Sequence, residues 1–361
     1  MNNLLNFGDK TVARKLINLI QKKAKTIGHI KIMEVCGTHT MQIGKLGIRS
    51  ILPVNIELIS EPGCPVCVTP GNYIDSAAQL AIEQKVRIVT FGDMVRVPGE
   101  KKSIEKVRSM GADIDVITSP FQSIEIAKKT KQEVIFLAVG FETTTPTTAM
   151  TILSAKQNKI ENLSFFIAHR VVPPALEILI QDSSIKISGF LLPGHVSSII
   201  GEAPYKTLKK YKIPGVITGF EAIDILTGIL DCISMISANQ TEIHNAYKRV
   251  VPSNGNPKAQ KIVEQVFTKD DAEWRGIGTI PGTGLKLRDD YKKFDAAKKF
   301  NLKIKKSTFP SGCSCGDVLK GRIPPNKCKL FGKLCTPQNP VGPCMVSSEG
   351  SCAAYYKYSN I

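Results

Sequence analysis

The chain has 361 residues, 42% of them hydrophobic and 22% charged, which fits two or three globular domains at roughly 100–200 residues each. No apolar run approaches the ~20 residues that a membrane-spanning helix needs, and "MNNLLNFGDK" at the N-terminus lacks the pattern of a secretory signal, so a cytoplasmic protein with no membrane partner is expected. The net charge of +17 raises the question of nucleic acid, but the lysines are spread along presumed helices and aromatic residues make up only 6%, too few for stacking platforms; a solvated basic surface with no nucleic-acid partner is the preferred reading.

Residues 9–25, "DKTVARKLINLIQKKAK", predict an amphipathic helix with Val12, Leu16, Leu19 and Ile20 on one face. Short β-branched runs follow, separated by helical stretches: "IKIMEV" (30–35), "NIELIS" (55–60), "VRIVTF" (86–91) and "DIDVIT" (113–118), then "EVIFLAVG" (133–140), "LSFFIAHR" (163–170), "ISGFLLPG" (187–194) and "IPGVITG" (213–219). Strands alternating with helices predict parallel sheets, here two Rossmann-like α/β domains in succession, 28–120 and 121–220. Ligands bind outside the carboxyl ends of such strands. That edge carries "CGTHT", "EPGCPVC", "FGDMVRVPG", "VGFETTTP" and "PGHVSS". Beyond residue 240 the pattern weakens to one amphipathic segment at 258–267 and a glycine-rich stretch, and the tail from Phe309 is dominated by Cys, Gly and Pro. Such a tail buries little apolar surface and needs a metal centre to hold it together.

Ten cysteines in a reducing compartment point to metal ligation or redox chemistry rather than structural disulfides. In the tail, Cys313, Cys328, Cys335 and Cys352 are separated by 14, 6 and 16 residues, with Cys315 and Cys344 interleaved. Zinc ribbons use two tight C-x2-4-C knuckles, which this tail lacks; wide, uneven spacing with surplus thiols fits a [4Fe-4S] cluster better. Near the other end, Cys36 closes a strand before a helix, His39 follows three residues on, and Cys64 and Cys67 share a proline-stiffened C-x-x-C turn, a spacing common to redox dithiols and metal knuckles. Adjacent strand ends would bring Cys36 to the pair, giving three soft ligands in one crevice; the plainer alternative is a buried Cys36 and a structural turn. Glu142 precedes a helix starting near Pro146, where the threonine run is read as capping before an anion site. His195 and Asp93, at strand ends, are candidate proton donors or hydrogen-bond anchors. Cys232, in an apolar helix, reads as core.

The stretches "EVCGTHT", "PGCPVCVTP", "FGDMVRVPG", "VGFETTTPTTA", "LLPGHVSSIIG" and the tail "CSCGDVLKGRIPPNKCKLFGKLCTPQNPVGPCMVSSEGSCAAYYKY" occur in order, and over nearly its full length the chain resembles the HypD family of [NiFe]-hydrogenase maturation factors. The resemblance implies a scaffold for the Fe(CN)2CO group, working with a HypC-type chaperone and, transiently, a HypE-type cyanide donor. It implies a third, irregular α-rich domain, residues 1–27 and 221–361, carrying the cluster on Cys313, Cys328, Cys335 and Cys352. Iron would be handled by Cys36, Cys64 and Cys67 with His39 nearby. Glu61 stands where glycine is common in the family. Two other readings compete: a cluster-containing thiol–disulfide oxidoreductase acting on another disulfide, and a nucleic-acid-binding protein with a structural cluster.

Overall fold

In the computed structural model, residues 9–60, 62–304 and 312–358 are described; Glu61 and the first residues of the tail lie outside them. The β-branched runs form β1 (Ile30–Glu34), β2 (Ile56–Ser60), β3 (Arg87–Phe91), β4 (Ile114–Ile117), β5 (Val134–Gly140), β6 (Leu163–His169), β7 (Gly189–Pro193) and β8 (Gly215–Thr218), and a short β9 (Ile243–Asn245) follows. All their pairings are parallel. Every residue of β5 is buried, as a parallel strand covered on both faces requires.

Sheet membership departs from the expected division at residue 120. One sheet has the order β2-β1-β7-β8-β9 and the other β4-β3-β5-β6. The chain lays down two strands, leaves to build the second sheet, and returns to finish the first. Local periodicity specifies that a segment is a strand; which strand it pairs with is decided by tertiary packing. In each sheet the order reverses about one strand, at β1/β7 and at β3/β5. Those are the switch points where an open parallel sheet leaves a crevice.

Helix α1 (Lys10–Ala24) is capped by Asp9, whose Oδ1 accepts from the Thr11 amide at 2.7 Å. Its buried residues are Ile20 and Ala24, with Ala13, Leu16 and Ile17 packed beside them in the core beneath the first sheet. Val12 and Leu19, expected on that face, are 37% and 48% exposed.

The glycine-rich region, where the sequence pattern weakens, forms an antiparallel hairpin of β10 (Phe267–Trp274) and β11 (Gly278–Leu287), with a bulge between Asp270 and Ala272. The tail holds short helices at Cys315–Leu319 and Ser351–Tyr358. One apolar cluster joins the first sheet to the segment after β5, the hairpin and the tail, and contains Met33, Cys64, Cys67, Phe141, Trp274 and Cys344. Phe141, leaving β5, stacks on Trp274 at 5.8 Å. Among the described residues no helix is long and apolar enough to cross a membrane.

Candidate metal centre

Cys36 stands two residues beyond the end of β1, after the buried Val35, at the β1/β7 switch point. Its extended backbone (φ −161°, ψ 131°) makes it the N-cap of α2 (Gly37–Lys45). The thiol is partly buried, and that burial, reinforced by the nearby Glu349 carboxylate, pushes it up to about 12 while the Thr38 hydroxyl and the Thr38 and His39 amides work in the opposite direction. Metal binding would therefore have to displace its proton. Thr38 Oγ1 donates to Glu349 Oε1 at 2.6 Å. Only glycine fits at position 37, because a Cβ there would lie 2.3 Å from the Glu349 carbonyl oxygen.

His39 is fully buried. Its Nε2 lies 2.9 Å from the Gly219 carbonyl at the end of β8, so Nε2 carries the proton and donates. Burial lowers its pKa to about 4, leaving the ring neutral. Nδ1 is buried without a partner among the described residues, and that lone pair is the one a neutral imidazole offers a metal or a proton. His39 stacks on Phe220 at 4.6 Å, and His195, which opens the helix after β7, stacks on the same ring at 3.9 Å. Partial burial lowers the pKa of His195 while Glu349 pulls it up. Cys36, His39, His195 and Glu349 thus surround one crevice. Glu349 was not among the residues picked from the sequence; a glutamate in "SSEGSC" carries no local signature, and only the fold of the tail onto α2 places it there.

The C-x-x-C pair lies alongside. The Gly37 amide donates to the Gly63 carbonyl at 3.2 Å, joining the β1 and β2 loops as their pairing predicts. Pro65 opens the helix Pro65–Val68, and the Cys67 amide donates to Cys64 Sγ at 3.3 Å. The sulfurs of Cys64 and Cys67 are 2.6 Å apart with both thiols free, a short approach from the ~2.05 Å of a disulfide. Both are buried, at 3% and 0% exposure. Among the described residues no group of three or more Cys, His, Asp or Glu is placed to hold one metal ion. The pair faces the tail. Burial raises Cys67 well above the usual thiol range, with the Cys344 and Cys64 sulfurs adding to it, while hydrogen bonds with Cys352 and Cys67 hold Cys344 well below that range. Cys344, left as surplus by the spacing, therefore bridges the pair and the tail.

In the tail, Cys313, Cys315, Cys328, Cys335, Cys344 and Cys352 line one small cavity. The Cys315 thiol lowers Cys313 to about 7 and is itself raised in return; burial raises Cys335. The titratable donors lining this cavity are all sulfur, the set that suits iron–sulfur clusters. Six thiols around one cavity are consistent with a metal-binding protein.

The remaining sequence picks fall elsewhere. Asp93 is exposed after β3. Glu142, after β5, is buried; Oε1 accepts from the Val172 amide at 2.8 Å, Oε2 has no partner among the described residues, and burial raises the carboxyl to about 7. Both sit at the second sheet's switch point rather than beside Cys36. Of the threonine hydroxyls after Glu142, Thr144 and Thr145 donate to the Phe141 carbonyl at 3.1 and 2.9 Å and Thr148 to the Thr144 carbonyl at 3.3 Å, and the N-cap Thr144 makes no side-chain cap bond, so the expected capping is not seen. Cys232 is core, with 0% exposure.

Fold and site together define a doubly wound α/β protein with the thiol donor set of a metallocentre protein. The family model described as HypD, hydrogenase formation hypA family, matches residues 11–359, and the chain belongs to this family. It is 40% identical over 352 residues to the hydrogenase maturation factor HypD of Escherichia coli, covering 95% of this chain and 94% of that one. With HypD of Cupriavidus necator identity is 38% over 368 residues (99% and 97% covered), and with that of Rhodobacter capsulatus 40% over 364 (98% and 97%).

Proposed function

We propose that this chain is a cytoplasmic hydrogenase maturation scaffold that holds iron, as cargo, at Cys36 while cyanide and carbonyl ligands are installed to give Fe(CN)2CO. The observation that carries this reading is the placement of Cys36 at the β1/β7 switch point, three residues before a neutral His39 whose Nδ1 has no partner among the described residues. Soft thiolate and imidazole donors suit low-spin ferrous iron. A HypC-type chaperone would complete the iron site from the open side, and a HypE-type donor would deliver cyanide there. Cys64 and Cys67 would close to a disulfide by giving up two protons and two electrons, the electrons leaving one at a time through the tail cluster. Their burial favours an internal partner, Cys344, over a foreign disulfide, which sets the general oxidoreductase reading second. Cys313, Cys328, Cys335 and Cys352 would hold a [4Fe-4S] cluster, which supplies one-electron capacity and braces the tail.

The test is anaerobic co-purification with the chaperone and infrared spectroscopy at cyanide-stretch frequencies. Cys36→Ala is expected to abolish the iron–cyanide bands without loss of tail iron and sulfide. Unchanged bands in that variant would remove Cys36 from the iron site.

A further inference from the structure

Arg275 follows directly on β10 and is 1% exposed. Its amide donates to the Val68 carbonyl at 2.8 Å, at the end of the C-x-x-C helix. Its guanidinium reaches the other sheet, Nη1 donating to the Pro98 carbonyl at 2.9 Å. The rest of that guanidinium is unspent: Nε and Nη2 are buried with no acceptor among the described residues. No carboxylate of those residues lies within ion-pair distance of it. An isolated buried cation costs several kcal/mol unless a counter-charge answers it.

The next residue shows where that counter-charge sits. Gly276, at φ +84°, brings its backbone onto Gly316, the second residue of the helix Cys315–Leu319: a Cβ on Gly276 would lie 2.6 Å from the Gly316 Cα, and one on Gly316 would lie 2.7 Å from the Gly276 carbonyl oxygen. The Arg275–Gly276 turn is thereby pressed against the cysteine-lined cavity. Cys315, which opens that helix, lines the cavity together with Cys313 and Cys344. A [4Fe-4S] core of charge +2 on four thiolates carries −2 overall, and −3 after one electron is added. A fixed cation in a low-dielectric interior favours the more negative state.

We propose that Arg275 is the built-in counter-ion of the tail cavity and sets the reduction potential of the cluster held there. This rests on the reading that the tail thiols bind a [4Fe-4S] cluster. The couple is the uptake of one electron by the cluster, supplied in the experiment by a chemical reductant, with no bond made or broken. Arg275 is a positioning and tuning residue, since no ligand bond is assigned to it.

The full chain is purified anaerobically as wild type, Arg275→Lys, Arg275→Met and Arg275→Gln. Iron and sulfide are counted, folding is followed by circular dichroism, and each cluster is titrated potentiometrically with electron paramagnetic resonance as readout. The neutral variants are expected to disfavour the reduced state at least tenfold, a fall of about 59 mV for a one-electron couple, while Arg275→Lys stays near wild type. Loss of the cluster from both neutral variants but not from Arg275→Lys also supports the counter-ion role. Neutral variants with full clusters at the wild-type potential overturn it, as does cluster loss in all three variants, lysine included, which would show a need for shape rather than charge. A wild-type chain that binds no acid-labile sulfide overturns the cluster reading beneath it, a result distinguishable from an unresponsive potential.

Discussion

Burial sets the protonation of the groups that could move protons near the two crevices, and the sign differs between them. Glu142 is raised to about 7 from 4.5 by burial, so the folded chain holds a proton there that the unfolded chain has released between those values. Its contribution to stability is full below about 4.5 and is lost as pH rises through 7. The buried histidines His39 and His169, lowered to about 4 from 6.5, act in the opposite sense: their contribution is present above 6.5 and is lost as pH falls toward 4. Glu142→Gln keeps an oxygen for the Val172 amide and removes the charge. It is expected to stabilise the chain by on the order of 2 kcal/mol at pH 8 and by little at pH 5. Urea midpoints at the two pH values measure this, and equal shifts at both would show that the carboxylate is not disfavoured by its site.

At the scale of single elements, the apolar face of α1 shows where a sequence pattern is ambiguous. Apolar residues at 12, 13, 16, 17, 19 and 20 cover an arc of roughly 160° at 3.6 residues per turn, so periodicity alone admits two overlapping stripes. The neighbouring helix Ala222–Ser237 and the underside of the first sheet select the one running through Ala13, Leu16, Ile17, Ile20 and Ala24. Ile20→Ala should cost ~2–5 kcal/mol through the cavity it leaves, and Leu19→Ala under about 1 kcal/mol, since Leu19 is 48% exposed. Thermal or urea unfolding of the pair checks the assignment; comparable losses would put Leu19 back in the core. The strands β1 to β8 were legible because each is a β-branched run bounded by glycine, proline or polar residues. Strands β10 and β11 were not: "FTKDDAEW" exposes four of its first five positions at least partly, and its partner is full of glycine. Their pairing with each other, not composition, makes them strands.

For the whole molecule, the sequence placed thiols at strand ends and in the tail but did not show that the tail folds back over both. Glu349 hydrogen-bonds Thr38, Gly321 packs on Met33 and Ile59, and Arg322 pairs with Asp182 at 2.7 Å. Arg96, after β3, reaches the Pro337 carbonyl. These contacts span more than a hundred residues of chain and leave no local trace, which is why the sequence did not single out Glu349 or Arg275, whereas Cys36, His39, Cys64 and Cys67 lie in short motifs that a sequence displays. The tail contributes few large apolar side chains to the core, chiefly Val318, Leu319 and Met345, so its attachment depends on whatever its cysteines bind. Anaerobic removal of iron by chelation is therefore expected to loosen residues 312–358 first. Limited proteolysis should cut within that segment, and Cys64 and Cys67, now 3% and 0% exposed, should become open to alkylation. The far-ultraviolet signal of the two sheets should persist, because most of their core residues lie in β-branched strands and helices outside the tail. If the chelated chain resists protease at the tail and keeps the dithiol closed, ordinary packing alone holds the tail down, and the thiols lining its cavity have no part in the architecture.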